Sequence, residues 1–292
     1  MTQIAAAPGE VAIGHAIAGP TPPWRLLLRR PGFLIGTGVL AFWVICAIFG
    51  GLIAPYDPLA QHLLAKNAAP SSAHLFGTDP LGRDVLSRVI AGARDILLIS
   101  PLATAIGTVL GTVLGLVMGY FDGLVDTMLG RIVEAVLALP VVIVAFLFIV
   151  AVGPSSITLI VVIGFVFTPL IARTVRTAVI VEGQQDYLAS ARLLGERPGY
   201  ILFAEILPNV LPVVVVEFTV RLGYAIFAVA TLSFLGFGVQ QPTPDWGGDI
   251  AANYGLLGAG YWWETLFPAL AIASLVMALN LVTDAIEQVI SA

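Results

Sequence analysis

Long apolar segments alternate with short polar ones along most of this chain. A helix needs about 20 mostly apolar residues to cross the hydrocarbon core of a bilayer. Six segments meet this requirement, and we predict membrane spans over residues 33–54, 96–119, 133–152, 157–175, 211–236 and 265–286. Every span should be helical, because backbone polar groups in lipid must be satisfied within the segment. The pattern therefore predicts an all-α membrane protein with six transmembrane helices.

The composition indicates that most of the surface faces lipid. Of the 292 residues, 59% are hydrophobic and only 11% are charged, whereas a soluble globular domain has about 25% charged residues. The net charge of −5 gives no indication of nucleic-acid binding. Cys46 is the one cysteine, so no intrachain disulfide can form, and no Cys/His spacing predicts a metal site.

The distribution of Lys and Arg predicts the orientation, because positive residues accumulate in short cytoplasmic loops. With the N-terminus inside, the inside segments contain Arg25, Arg29, Arg30, Arg131, Arg173, Arg176, Arg192 and Arg197. The outside segments contain Lys66, Arg83, Arg88 and Arg94, all in one long loop. We therefore expect both termini in the cytoplasm, with a tail over residues 1–30, an external loop over 55–95 and a cytoplasmic loop over 182–209. The first apolar run exceeds the length of a secretory signal and is expected to be a retained anchor.

The cytoplasmic loop carries an unusual polar segment with Gly and Pro at intervals. Tyr187, Ala191 and Leu194 are spaced to share one helical face. Gly195 should end that helix, since glycine accepts a left-handed C-terminal cap, and Pro198 suits the start of a second helix. We predict a short L of two helices on which another protein docks. The alternative is an ordinary amphipathic loop.

The external loop contains a second polar pattern before the second span. Asp79 and Gly82 belong to a predicted turn. The polar positions that follow have helical spacing, with apolar residues opposite, and are Arg83, Asp84, Ser87 and Arg88. We predict an amphipathic helix that lies at the outer surface of the membrane. Its polar face either contacts another protein or is exposed to solvent with local ion pairs.

Small residues recur along the second span. Gly107, Gly111, Gly115 and Gly119 follow one another at intervals of four. Residues of this size let two helices approach closely. The ladder predicts either tight helix packing or a smooth wall of a pore.

Two charged pairs lie at or near membrane depth. Glu217 and Arg221 are four residues apart within the fifth span, and Glu134 follows Arg131 by three residues at the start of the third. Charges at this depth are costly and usually face a partner or a cavity. Each pair is either a mutual ion pair or part of a gate or a substrate contact, so Glu217 and Arg221 are candidates for a translocation path.

The polar cytoplasmic segment resembles the EAA loop of permease subunits of ATP-binding-cassette (ABC) importers. That loop has the pattern EAA, three residues, G, nine residues, then I-x-L-P. Ala189-Ser190-Ala191 corresponds to EAA, Gly195 to the glycine, and Leu207-Pro208 to L-P. Two positions depart from it, since Ala189 replaces the Glu and Glu205 stands where Ile is expected. The variant Y-x-x-A-S-A-R-x-x-G resembles the dipeptide/oligopeptide/nickel branch of the family.

Three further motifs resemble that branch and follow in the right order. The first is the Gly77–Arg94 segment, which contains the pattern G-T-D-x-x-G-R-D-x-x-S-R. The second is Arg131-Ile132-Val133-Glu134, followed by Leu139-Pro140. The third is Gln241-Pro242-Thr243-Pro244-Asp245-Trp246-Gly247. The resemblance covers about residues 30–290. It is to the C-type permease, the second of two different membrane subunits.

The resemblance implies the fold, the function and the partners. The fold would be that of a type I importer permease (MetI-like), with residues 31–292 as the transmembrane domain. The chain would form a translocation path for di- or oligopeptides with a second permease in the bacterial inner membrane. Its partners would be two cytoplasmic ATPases, which bind ATP and Mg, and a substrate-binding protein outside. Nickel, or a solute of the glutathione type, is the alternative cargo.

The resemblance also implies roles for individual residues. Those expected to couple the chain to the ATPases are Tyr187, Ala189, Ser190, Ala191, Arg192, Gly195, Glu196, Leu207 and Pro208. Those expected to contact the binding protein or the second permease are Asp79, Gly82, Arg83, Asp84 and Arg88.

The motifs that the sequence lacks bear on catalysis. It has no G-x-x-x-x-G-K-[ST] phosphate loop and no G-x-S-x-G or H-E-x-x-H pattern. We therefore expect a transport subunit that is not an enzyme, and whose energy comes from another subunit. Two other classes stay open: a secondary transporter or channel that works alone, and an intramembrane enzyme.

Overall fold

The chain folds into a set of helices that pack against one another. A computed structural model describes residues 27–28, 30–121 and 123–290, and over these ranges the regular elements are all helices. The predicted cytoplasmic tail over residues 1–30 lies almost wholly outside the described residues. Five helices are long and apolar enough to cross a membrane, or six if one bent pair counts as a single span. The all-α class is thus confirmed, and the prediction of six spans holds when the bent pair is counted as one span.

We number the main helices in chain order. They are α1 Pro31–Ile53, α2 Val85–Tyr120, α3 Leu124–Leu137, α4 Val141–Val152, α5 Ser156–Glu182, α6 Asp186–Leu193, α7 Pro198–Phe234, α8 Trp246–Asn253 and α9 Trp263–Ile290. Helix α7 is α-helical over Pro198–Tyr200, π-helical over Ile201–Ile206 and α-helical again over Leu207–Phe234. Short 3-10 turns lie at Leu63–Ala65 and Tyr254–Ala259.

The predicted third span, residues 133–152, is not one straight helix. It consists of α3 and α4, which meet at an angle of 85°. Pro140 lies at the break. Proline cannot donate a backbone hydrogen bond, and it disfavours helical geometry at the residue before it. Hydropathy alone could not reveal this bend, because the two helices together pass as one span by length and composition.

Three other span predictions were too short. Helix α2 begins at Val85 rather than near residue 96, α5 continues to Glu182 rather than ending near 175, and α7 begins at Pro198 rather than near 211. In each case the helix extends through charged residues beyond the apolar run. A hydropathy pattern marks the part of a helix that is in lipid, and a helix can continue past it.

Helices α2 and α5 pack closely along their length through the glycine ladder. A Cβ atom on Gly111 would lie 2.7 Å from Cβ of Ile171, and one on Gly115 would lie 2.7 Å from the carbonyl oxygen of Ala172. A Cβ atom on Gly119 would lie 2.6 Å from Cβ of Val179. The packing interpretation is therefore confirmed. The pore-wall interpretation is wrong, because α5 covers the glycine face of α2.

Candidate functional site

The polar segment over residues 182–209 forms an elbow. It runs from the end of α5 through α6 into the first part of α7. The backbone N–H of Glu196 donates to the carbonyl of Ala191 at 3.2 Å, and that of Gly195 donates to the carbonyl of Arg192 at 3.1 Å. Gly195 has φ of +77°. This pair of bonds around a left-handed glycine is a Schellman cap, which ends α6. The predicted helix end at Gly195 is confirmed.

The outward face of α6 was not specified by the predicted spacing. Leu188 is fully buried and anchors the helix, whereas Leu193 is 89% exposed and Leu194 82% exposed. Tyr187 and Ala191 lie one turn apart within α6, and Leu194 is its C-cap residue, so the predicted spacing holds but does not show which side of the helix packs. Two adjacent leucines thus project from the tip of the elbow.

Tyr187 ties the two ends of the elbow together. Its hydroxyl donates to Oε1 of Glu182 at 2.6 Å and accepts from Nδ2 of Asn209 at 2.8 Å. Partial burial and the hydrogen bond to Glu182 raise the pKa of the Tyr187 phenol. The phenol therefore stays protonated at neutral pH and holds the end of α5 close to α7.

The other predicted coupling residues lie on the same elbow. The Arg192 guanidinium lies over the Tyr120 ring, 5.1 Å from its centroid, which connects α6 to the end of α2. Ala189, Ser190 and Glu196 are exposed. Their role in coupling stays a prediction.

The second helix of the predicted L is not separate from the membrane. Pro198 starts α7, as predicted, but α7 then runs without a break to Phe234. Leu207 and Pro208 lie inside this continuous helix, where its π-helical stretch ends and the α-helical stretch to Phe234 begins. Force applied to the elbow would therefore reach the membrane through one continuous helix.

The predicted contact residues before α2 form a compact turn. Arg83 donates from Nε to Oδ2 of Asp79 at 2.6 Å, and its backbone N–H donates to Oδ1 of Asp79 at 2.9 Å. Gly82 has φ of +73°, and a Cβ atom there would lie 2.0 Å from the His62 carbonyl oxygen. Asp84 caps α2 by accepting from the Ser87 backbone N–H at 2.8 Å. The predicted turn is confirmed.

Arg88 is buried and bonds to distant segments of the chain. It is 2% exposed, and its Nη2 contacts Oδ1 of Asp249 while its Nε donates to Oδ2 at 3.2 Å. Its Nη1 also donates to the carbonyls of Pro58 and Pro242, each at 3.3 Å. The expectation of a solvent-exposed helix is wrong, because its polar face meets the segment around α8.

All four charged side chains of the motif are buried within this chain. Asp79, Arg83, Asp84 and Arg88 are each 5% exposed or less. Their predicted contact with another protein stays a prediction, and in the described chain they hold the segment together. Sequence reasoning missed Asp249 as the partner of Arg88, and no signal in the pattern pointed to it.

A second carboxylate near α8 has an altered pKa. Asp245 caps α8 by accepting from the Gly248 backbone N–H at 2.8 Å. Burial, reinforced by the nearby charge of Asp249, raises the pKa of Asp245 to about 6. Trp246 follows and donates from Nε1 to the Val89 carbonyl at 2.8 Å, which locks α8 onto α2.

The two candidates for the translocation path form the expected ion pair. Nε of Arg221 donates to Oε1 of Glu217 at 2.7 Å, and Nη2 lies 2.5 Å from the same oxygen. Arg221 also lies 5.6 Å from the centroid of the Tyr224 ring. The mutual pair does not exclude contact with a substrate, because Arg221 lines two cavities.

The second charged pair behaves differently. Among the described residues, no ion pair within 4 Å joins Arg131 to Glu134. Both line a cavity of about 610 Å³ between α2, α3 and α5. Arg176 and Asp126 also line it and form a bidentate pair with each other. The expected mutual pair of Arg131 and Glu134 is therefore wrong. Within the described ranges, no group of three His, Cys, Asp or Glu side chains could hold a metal ion.

Comparison with known sequences identifies the family of this chain. Residues 111–292 match the family described as binding-protein-dependent transport system inner membrane component. Residues 23–70 match the N-terminal TM domain of oligopeptide transport permease C.

Several relatives are similar over most of their length. The dipeptide transport system permease protein DppC of Escherichia coli K12 is 39% identical, over 95% of this chain and 96% of that protein. The protein of the same name from Bacillus subtilis 168 is 34% identical, over 90% and 82%. The glutathione transport system permease protein GsiD of Salmonella typhimurium is 40% identical, over 90% and 87%.

One solved structure has the same fold. A chain of the MetNI methionine ABC transporter, from a study of its inward-facing conformations, superposes with a TM-score of 0.56. The match covers 70% of this chain and 95% of that one at 21% sequence identity, so it bears on the fold alone. The predicted MetI-like fold is thereby confirmed. The exposed elbow, the bundle of apolar helices and the sequence matches lead to one assignment: the chain belongs to the family of binding-protein-dependent transport system inner membrane components.

Proposed function

We propose that this chain is a permease subunit of an ATP-driven importer for di- or oligopeptides. The observation that carries the proposal is the elbow, whose tip exposes Leu193 and Leu194 and whose second arm continues as α7. Two adjacent leucines that are more than four-fifths exposed fit a hydrophobic groove on another protein. The names of the peptide permeases to which the chain is similar support the cargo class.

The proposed mechanism is alternating access driven from the elbow. Two cytoplasmic ATPases bind ATP and Mg and close, and the elbow moves with the groove that holds it. Helix α7 transmits this movement to the bundle, so that a cavity shared with a second permease opens outward and then inward. A binding protein outside delivers the peptide. This chain performs no bond chemistry, since hydrolysis belongs to the ATPases.

The chain offers a matched control for a test of the elbow. Leu63 and Leu64 form another exposed leucine pair, 62% and 105% exposed, in the segment between α1 and α2. We expect Leu193→Asp/Leu194→Asp to abolish co-purification of the ATPases with the membrane subunits, and Leu63→Asp/Leu64→Asp to leave it intact. Equal recovery of the ATPases with both double variants would contradict the proposal.

The orientation is proposed on the same grounds: the chain lies in the inner membrane, with the elbow and both termini in the cytoplasm. Cys46 is buried, so it should contribute little background labelling. In intact cells, a membrane-impermeant maleimide should label Leu64→Cys but not Leu194→Cys. The reverse pattern would overturn the orientation.

Two alternatives can be separated by transport assays. Glutathione is a second candidate cargo, because a glutathione permease is among the similar proteins. Competition between labelled dialanine and glutathione for uptake by the reconstituted complex decides between them. ATP-independent uptake by liposomes that hold this chain alone would instead favour a secondary transporter.

A further inference from the structure

Two cavities meet at Arg221 between α5 and α7. The first, of about 250 Å³, is almost entirely apolar and reaches from Arg221 to Thr231 and Leu232. The second, of about 740 Å³, reaches from Arg221 to Glu182 and Asn209, next to the elbow. Leu170 lines both cavities from the α5 side. Together they form a groove along α5 and α7, whose apolar half is also lined by Val142 and Ala145 of α4, and Arg221 lies where the apolar and polar halves join.

The position of Arg221 along α7 makes contact with lipid unfavourable. Thirteen residues (234 − 221) separate it from the end of α7 at Phe234, which is about 20 Å at 1.5 Å per residue. A charge this far from the helix end lies deep in the hydrocarbon region, where charged side chains face a cavity or a protein partner. The groove is therefore the side of α7 that another protein surface or a substrate covers.

Arg221 retains hydrogen-bonding capacity toward a ligand. Its described contacts with Glu217 use Nε and Nη2 and converge on one carboxylate oxygen. A guanidinium has five N–H donors in a planar fork that matches a carboxylate. The Nη1 donors can thus bind an anion while Glu217 still holds the side chain in place.

The polar half of the groove carries a second arginine. Arg173 on α5 is exposed and lines the cavity with Thr174, Thr177 and Asn209. The structure gives Arg173 no ion-pair partner within 4 Å among the described residues. A negatively charged group that leaves Arg221 toward the elbow would meet Arg173 next.

We propose that Arg221 binds the C-terminal carboxylate of the transported peptide and that Arg173 receives it on the way to the cytoplasm. This inference rests on the proposed function and names the substrate group that the groove recognises. Tyr224 and Phe227, with the apolar cavity beside them, accept the peptide's side chains. The pair of arginines neutralises a carboxylate that would otherwise be unpaired at low dielectric.

The test compares a free carboxylate with an amide in the complete complex. Proteoliposomes that contain both permeases, the ATPases and saturating binding protein are supplied with L-Ala-L-Ala or L-Ala-L-Ala-amide. Initial ATP-dependent uptake is divided by the measured occupancy of the binding protein, which removes any selectivity at delivery. We expect the wild type to transport the free carboxylate at least tenfold faster than the amide.

The variants separate the carboxylate contact from simple loss of folding. Arg221→Gln alone would leave Glu217 without its counter-charge, so the informative variant is Glu217→Gln/Arg221→Gln. It should lose about tenfold in dialanine uptake and nothing in uptake of the amide. Glu217→Gln alone should keep the wild-type preference, and Arg173→Gln should lose about threefold for dialanine only. Arg94→Gln, an exposed arginine on α2 outside the groove, is the matched control and should change neither rate.

Each remaining outcome has a distinct meaning. A Glu217→Gln/Arg221→Gln complex that keeps the wild-type preference, or that loses both peptides equally, overturns the carboxylate site but leaves the proposed function intact. Failure of the wild-type complex to import either peptide with ATP overturns the proposed function, and this inference with it.

Discussion

Arg88 and Asp249 form a buried ion pair although 161 positions separate them in the chain. Arg88 opens α2 and Asp249 lies in α8, so the pair fastens the α7–α9 segment to the start of a membrane helix. The carbonyls of Pro58 and Pro242 use further donors of the same guanidinium. One side chain thereby joins three separate parts of the chain at one end of the bundle.

We predict that Arg88→Met lowers the free energy of unfolding by about 3–5 kcal/mol, because it leaves Asp249 buried without a counter-charge. The double variant Arg88→Met/Asp249→Leu should recover most of this loss, since both charges are then absent. Denaturant titration in detergent micelles measures the cycle. Arg94→Met on the same helix is the control, with an expected change of about 0.5 kcal/mol or less because Arg94 is exposed. Equal costs for Arg88→Met and Arg94→Met would argue against a structural role for the pair.

The glycine ladder should be sensitive to a single added methyl group. Gly111→Ala would place a Cβ atom 2.8 Å from the Thr168 carbonyl oxygen and 2.7 Å from Cβ of Ile171, so we expect a cost of about 1–3 kcal/mol. Gly38→Ala on α1 has nothing within 4 Å and should be neutral or stabilising. Thermal unfolding of both purified variants tests this, and an unchanged Tm for Gly111→Ala would contradict the packing.

The cap at Gly195 should matter for coupling more than for insertion. A Cβ atom there meets nothing within 4 Å, so the effect of a substitution comes from φ of +77°. That conformation costs an L-residue about 1–2 kcal/mol. Gly195→Val and Gly195→Pro should therefore uncouple ATP hydrolysis from uptake while membrane insertion stays normal. Gly195→Asn should be milder, because Asn tolerates this conformation.

The control for Gly195 is Gly199→Ala, which lies in the same elbow with open space around it. Parallel assays of ATPase rate and uptake in proteoliposomes give the coupling ratio. Normal uptake by Gly195→Val would count against the rigid-lever mechanism.

The raised pKa of Asp245 predicts that the stability of the fold depends on pH. The pKa is raised to about 6 by burial, above the value of about 3.9 in an unfolded chain. The folded state therefore binds the proton more tightly, so stability is greatest below about pH 4 and decreases as the pH rises through 6. The free energy of unfolding is therefore about 3 kcal/mol lower well above pH 6 than below pH 4.

The variant Asp245→Asn removes this dependence and keeps a residue that can cap α8. We expect the Tm of the variant minus that of the wild type to increase between pH 4.5 and 7.5 and to level off above about pH 7. Calorimetry or dye-based unfolding across this range measures it. A constant difference across the range would show that Asp245 does not titrate as proposed.

The sequence pattern correctly predicted the apolar membrane helices, but not α8 or the bend between α3 and α4. Apolar length is a local property, and so are the preferences of Gly195 for a helix end and of Pro198 for a helix start. The turn at Asp79 and Gly82 was predicted for the same reason. Where the sequence interpretation failed, the residues had helical spacing but their surroundings were set by distant segments, as with Arg88.

The sequence by itself determined that this chain is a membrane-embedded helical bundle with a polar elbow, because hydropathy and backbone preference act within a few residues. Only the tertiary structure decided which helix covers the glycines, which leucines project from the elbow, and which carboxylate pairs with Arg88. Those outcomes depend on packing and burial between segments far apart in the chain. The order of residues along the chain does not show which distant side chains will come into contact, so these contacts are determined only when the chain folds.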